Sequence, residues 1–175
     1  MTMDDSQSRT HQKPRRLVLM RHAKSDWSGE GSADHERHLN ERGRHDAPIM
    51  GAWLGELDCL PDVVLCSSAT RTRETLQRMQ DSFPSDPIVS YSDALYLATP
   101  ETICSTIRSD HCDASTLMVI AHNPGLAHLV SQLAQQWIDM PTAAIAVFTL
   151  ADEDWSKFRL SSTVELEHFM RPKAL

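Results

Sequence analysis

The chain has 175 residues, 41% of them hydrophobic, which suits one domain burying a single core. Its formal net charge of −7 counts against a binder of nucleic acid or anionic membrane, because such proteins present a basic face; an anion site would have to be a local basic pocket. No apolar run reaches the ~18 residues of a membrane helix, and the opening MTMDDSQSRTHQKPRR has no apolar stretch behind its basic residues, so a cytoplasmic protein is expected.

Residues 1–14 are polar, lack periodicity and end in Pro14, and read as a flexible arm ahead of a single domain over 15–175. Strand-like apolar runs follow at RLVLM (16–20), DVVLC (62–66), TLMVIA (116–121) and AAIAVFTL (143–150), with a weaker one at KFRLSSTVEL (157–166). Helical patterns fall between them. Ala47, Met50, Leu54 and Leu57 share one helical face, and Leu126, Leu129, Val130 and Leu133 form an i, i+3, i+4, i+7 stripe. Pro48 implies a kink in its helix or a start near Asp46. Asn123-Pro124 has the form of a helix start, an Asn cap with Pro at the first helical position. The alternation predicts an α/β fold, a three-layer α/β/α sandwich around a mostly parallel, mixed sheet. Cys59, Cys66, Cys104 and Cys112 are scattered without a C-x-x-C pair and read as reduced, mostly buried thiols.

In such sheets ligands bind beyond the carboxyl ends of the strands. Arg21 and His22 follow the first run; Ser67, Ser68, Arg71 and Arg73 follow the second; His122 and Asn123 follow the third. Two histidines and at least two arginines would meet at one rim, near helix N-termini whose free N–H groups favour an anion. The expected ligand is a phosphate group.

The motifs LMRHAKSDW, VVLCSSATRTRETL and VIAHNPGLAHLV, in this order and spacing, resemble the histidine phosphatase superfamily, and within it the short SixA-type phosphohistidine phosphatases. LNERGRHDAPIMGAWL and SDALYLATPETI resemble the connecting helix and the later segment of that subgroup. The resemblance implies a phosphoglycerate mutase-like fold and a metal-independent, cofactor-free phosphatase. It makes His22 the nucleophile that takes the phosphoryl group, with Arg21, Arg71 and His122 as catalytic phosphate ligands and Asn123 and Lys24 as further binding residues. Arg21-His22-Ala23 stands where the wider superfamily has R-H-G, as in the SixA-type pattern. The acid that protonates the leaving group in many relatives has no clear counterpart; Asp93 and Glu101 lie in the corresponding region, outside any convincing motif.

The chemistry fits those residue types. A histidine attacks phosphorus only with one ring nitrogen free and the other held by a hydrogen bond. Arginine's planar fork matches two phosphoryl oxygens, and fixed cations stabilise the charge that spreads over them. The substrate expected is a phosphate-bearing one, most simply phosphohistidine on a protein partner. The competing readings are a small-molecule phosphomonoesterase or mutase acting on a sugar phosphate or phosphoglycerate, and a non-catalytic phosphate-binding module.

Other residues attract plainer readings. Arg73 points about 200° away from Arg71 on a helix and reads as a surface charge. Lys24 could touch substrate or be solvated, and Ser67 or Ser68 reads as the N-cap of the helix carrying Arg71. His35, His38 and His45 contain an H-x-x-H, but without a second ligand cluster they read as a polar loop entering a helix, and no metal site is expected. His128 lies opposite the leucine stripe, and the four tryptophans read as separate core or rim anchors.

Overall fold

Strand β1 (Arg16–Arg21) lies inside a six-stranded sheet of order β3-β2-β4-β1-β5-β6, formed with β2 (Val63–Ser67), β3 (Ile88–Ser92), β4 (Thr116–Ala121), β5 (Ile145–Leu150) and β6 (Val164–Met170). The structure is a computed structural model that describes residues 14–28, 33–151 and 154–174. The predicted arm lies outside the described residues except for Pro14. Pairing is parallel from β3 through β1 and antiparallel at β1-β5 and β5-β6. The mixed α/β sheet therefore matches the sequence reading.

The apolar runs are continuous because both faces of the central strands are covered. Alternate side chains serve two cores. Leu17, Leu19, Leu65, Leu117 and Val119 pack towards α3 (Pro100–Asp110) and α4 (Gly125–Ala134), meeting Ile103, Ile107, Leu126, Leu129 and Leu133. Val18, Met20, Val64, Met118 and Ile120 face the other way, onto α1 (Glu41–Glu56) and α2 (Thr70–Gln80), against Ala47, Met50, Leu54, Leu76 and Met79. Both predicted helical faces are thus core faces.

Several boundaries differ from the sequence reading. Helix α1 starts at Glu41, where the Asn40 side chain accepts the Gly43 N–H, and Pro48 lies inside it; a start near Asp46 is not what forms. Asn123 does not cap α4. Its peptide bond to Pro124 is cis, its amide donates to the Met140 carbonyl at 2.9 Å, and the helix begins at Gly125. The run at 143–150 is a strand only from Ile145, because Ala143 adopts a left-handed φ of 64°. The weak candidate at 157–166 forms a strand only from Val164, after a 3-10 turn over Trp155–Lys157. Strand β3, IVSYS, was not foreseen; it is an edge strand with mixed burial, so neither strict alternation nor a continuous apolar run marks it.

Gly125 shows how tightly the rim is packed. A Cβ there would lie 1.8 Å from the Ala98 carbonyl oxygen, whereas a Cβ on Gly55, near the end of α1, would meet only Leu60 Cδ1 at 4.0 Å. Gly125→Ala should therefore lower stability by about 1–3 kcal/mol through overpacking against backbone. Gly55→Ala should raise it by about 0.5–1 kcal/mol, the ordinary helix-propensity gain. Denaturant midpoints of the two variants check this opposition.

Candidate active site

Three parallel strands end side by side, and each presents a polar residue: His22 just past β1, Ser67 at the end of β2 and His122 just past β4. Arg71, in the first turn of α2, ties them together while only 2% exposed. Its Nε–H donates to His22 Nε2 at 3.3 Å and its Nη2 to His122 Nδ1 at 3.2 Å. On the outer side Nη1 donates to the Asp34 carbonyl at 2.6 Å and Nη2 to Asp34 Oδ2 at 3.0 Å. The helix that carries Arg71 is fastened in turn: Thr75 Oγ1 donates to the Arg71 carbonyl and accepts the Ala23 N–H.

These partners settle the tautomers. His22 Nδ1 faces the Ala23 carbonyl at 2.7 Å and so carries the proton, leaving Nε2 unprotonated with its lone pair towards the Arg71 Nε–H. His122 accepts at Nδ1, so its Nε2–H donates to Ser67 Oγ at 2.8 Å. The two ring centroids lie 5.2 Å apart. Burial pushes the His22 pKa down to about 3; the Ala23 bond opposes this, and Arg71 and Arg21 reinforce it. His122 is also pushed down to about 3, first by burial and then by His22 and Arg71. Both rings are neutral near pH 7.

Arg21, Lys24 and Asn123 complete the wall of a cleft of about 340 Å3 that also exposes His22, Arg71 and His122, so the six residues picked out from the sequence line one cavity. Arg21 Nη1 and the Asn123 amide both donate to the Met140 carbonyl, which pins the two strand tips to the loop before β5. Among the described residues, Arg21 Nε and Asn123 Oδ1 are buried without a hydrogen-bond partner. Arg73, in contrast, is exposed and lies over the Tyr91 ring at 4.6 Å. His128 is exposed as expected.

The polar stretch around His35 contributes more than the sequence suggested. Asp34, His35 and Glu36 form a 3-10 turn over the cleft. Asp34 binds Arg71 and accepts the Tyr96 hydroxyl at 2.5 Å, and Arg37 pairs with its other oxygen at 2.7 Å. The Tyr96 bond first, with help from Arg71 and Arg37 and against partial burial, holds the Asp34 carboxyl at about 2. Arg37 also stacks at 3.6 Å on Trp27, which is 74% exposed. Of the tryptophans read as core or rim anchors, Trp27 is thus a rim residue and Trp155 a core residue. Among the described residues, no three His, Cys, Asp or Glu come close enough to hold a metal ion.

One expectation needs correction. Ser67 and Ser68 do not cap α2, whose N-cap is Ala69 with no side-chain bond; Ser67 orients His122, and Ser68 Oγ meets His35 Nε2 at 2.9 Å. Asp93 and Glu101 are exposed and lie outside the cleft lining, where Asp34 is the acidic residue. Tyr96 falls within SDALYLATPETI, where nothing marks its role; Asp34 and Arg37 sit in no periodic pattern and no recognisable motif. Their only sequence signal is the i, i+3 charge pair Asp34/Arg37 on an otherwise polar loop.

Comparison with known proteins agrees with this geometry. The model of the "Histidine phosphatase superfamily (branch 1)" matches residues 17–92. An uncharacterized protein of Mycobacterium leprae is 34% identical over 167 residues, which cover 88% of this chain and all of the relative. Two solved structures are assigned as the phosphohistidine phosphatase SixA. That from Nakamurella multipartitia is 30% identical with a TM-score of 0.78, covering 92% of this chain and 98% of its own. That from Agrobacterium tumefaciens is 28% identical with a TM-score of 0.77, covering 92% and 100%. With a matching fold and a relative of this identity covered over nearly its whole length, the chain belongs to the histidine phosphatase superfamily.

Proposed function

We propose that this phosphatase acts on phosphohistidine carried by a protein partner, through a phosphoenzyme on His22. The observation that carries the reading is the state of His22: buried and neutral, with Nδ1–H held by the Ala23 carbonyl and Nε2 unprotonated, its lone pair taken by the long Arg71 Nε–H bond that must give way before it attacks. In the first step Nε2 attacks phosphorus; the new N–P bond forms as the bond to the substrate's imidazole breaks, and that ring leaves with a proton. Water then attacks the phosphorus on His22, restoring the free ring and releasing phosphate. Arg21 and Arg71 stabilise the charge on the three equatorial oxygens, His122 holds the Arg71 fork in place through Nδ1, and Asn123 and Lys24 bind at the edge.

The carboxylate at the cleft favours a P–N substrate over an ordinary ester. An alkoxide leaves only with a proton donor, and Asp34, held at about 2, is ionised at neutral pH and has no proton to give. Imidazole, with a free-ring pKa near ~6.5, takes its proton from solvent and leaves neutral.

Brief incubation with labelled phosphohistidine peptide and an alkaline quench should leave label on His22 that is lost in acid. The order of kcat/KM should run phosphohistidine peptide, aryl phosphate, sugar phosphate. Normal turnover by His22→Ala, or a sugar phosphate heading the order, would overturn the reading.

Arg71→Lys should lower kcat/KM by roughly 10² or more, as expected for loss of one preorganised donor. Arg73→Lys, on the exposed side of the same helix, should change it less than twofold or so. Steady-state kinetics of the pair decides whether the buried fork or general positive charge matters.

The pH behaviour has a definite sign. Both rings have folded pKa values of about 3 against an ordinary 6.5, so below pH 6.5 the unfolded chain takes up protons that the folded one refuses. These two sites therefore subtract stability progressively as pH falls from 6.5 towards 3, and nothing above 6.5. Ring-nitrogen NMR of the free protein should show neither His22 nor His122 titrating between about pH 8 and pH 5. A midpoint near 6.5 at either ring would mean that the hydrogen-bond pattern given above is wrong.

A further inference from the structure

The reaction cleft does not end at Lys24. A second cavity of about 410 Å3 shares Arg21, Lys24 and Thr142 with it and is lined further by Arg42, Arg171 and Lys173, with Asp139 as its one acidic residue. Among the described residues, Lys24, Arg171 and Lys173 form no ion pair, whereas Arg42 is paired with Asp46 at 3.3 Å. A chain of net charge −7 thus concentrates unpaired cations at the side door of the cleft. Beyond, a groove of about 440 Å3 shares Asp139 and Arg171 with the basic cavity; it is lined by Ile138, Leu166, Phe169 and Met170, beside Trp137, which is 77% exposed.

We propose that the three cavities are one docking track for a protein partner: its phosphorylated histidine enters the cleft, an acidic side chain near it fills the basic cavity, and an apolar side chain farther along lies against Trp137. The inference rests on the phosphohistidine reading above and adds what the partner must carry around its histidine. Charge complementarity assigns the second cavity to an anion, since Arg21, Lys24, Arg171 and Lys173 there face the single carboxylate of Asp139. Continuity decides between a small molecule and a chain. A compact bisphosphate could bridge the first two cavities, but it has nothing to offer the apolar groove that follows, whereas an extended peptide segment presents acidic and apolar side chains in sequence. Because the whole protein repels an acidic partner at long range, this local patch also fixes the direction of approach.

The experiment compares two phosphohistidine peptides, with Glu or with Gln at the positions flanking the histidine on both sides, together with an aryl phosphate that reports on the cleft alone. The wild-type protein should prefer the acidic peptide by roughly three- to tenfold in kcat/KM at low ionic strength, mainly through KM, and less in high salt. The Arg171→Gln, Lys173→Gln double variant changes two exposed residues and should remove the preference while leaving aryl phosphate turnover unaltered. Arg171→Glu should reverse the preference, and Trp137→Ala should raise KM for a peptide carrying a distal leucine without affecting the aryl phosphate. Equal turnover of the two peptides by wild type, or a preference that survives in the double variant, overturns the track. So does a small bisphosphate that outcompetes the acidic peptide and loses its advantage in that variant. Hydrolysis of the aryl phosphate with neither peptide turned over is a different result: it removes the phosphohistidine reading, and the track with it.

Discussion

A guanidinium cannot shed its proton, so one that is buried must find acceptors for its donors, and the centre of this site is the set of acceptors gathered around Arg71. Two of them are imidazoles, which can accept from a cation only when neutral at the facing nitrogen. Burial disfavours the charged form of both histidines first, and Arg71 reinforces it: protonating either would set donor against donor beside a fixed positive charge in a place with little water. The low pKa values of His22 and His122 and the charge of Arg71 are one arrangement seen from three residues. Taking away one partner of such a buried set generally costs about 3–5 kcal/mol, because the remaining charge is left uncompensated.

The sheet supplies the rigidity this requires. β1, β2 and β4 are buried on both faces and paired on both edges, so their tips have no freedom to separate. The connections add local restraint. The Asn40 N–H donates to the Lys24 carbonyl at 3.0 Å, and a Cβ at Gly43 would collide with that same oxygen at 2.2 Å, so α1 presses directly on the segment that follows His22. On the far side the Ala143 N–H points between the carbonyls of Arg21 and His22, at 3.2 and 3.0 Å, which accounts for the unusual φ of that residue.

What could be read in advance divides along physical lines. Strands buried on both faces announce themselves as apolar runs, and the residues immediately after them are rim residues by topology alone; that is why His22, Arg71 and His122 were legible together. Edge elements carry no such signal: β3 has a solvated face, and β6 was placed several residues too early. Side chains that reach the site from a loop were invisible for another reason. Asp34 and Arg37 belong to the site only because the loop folds back over α2, and Tyr96 only because a 3-10 turn after β3 aims its hydroxyl at Asp34. Ser67 was legible as a rim residue but not in its role, since a serine before a helix has the same appearance whether it caps the helix or holds a histidine ring.

The fork of Arg71 is already occupied. Four of a guanidinium's five N–H groups are engaged, and the outward-facing bonds are to Asp34. In the proposed reaction an incoming phosphoryl group would therefore not fall into an empty cationic well; it would trade places with a carboxylate that Arg37 and Tyr96 already hold. Departure runs the same exchange backwards, with Asp34 reclaiming Arg71 as the anion leaves. The strength with which such a cleft would hold phosphate is consequently a difference between two anions rather than the sum of its cations.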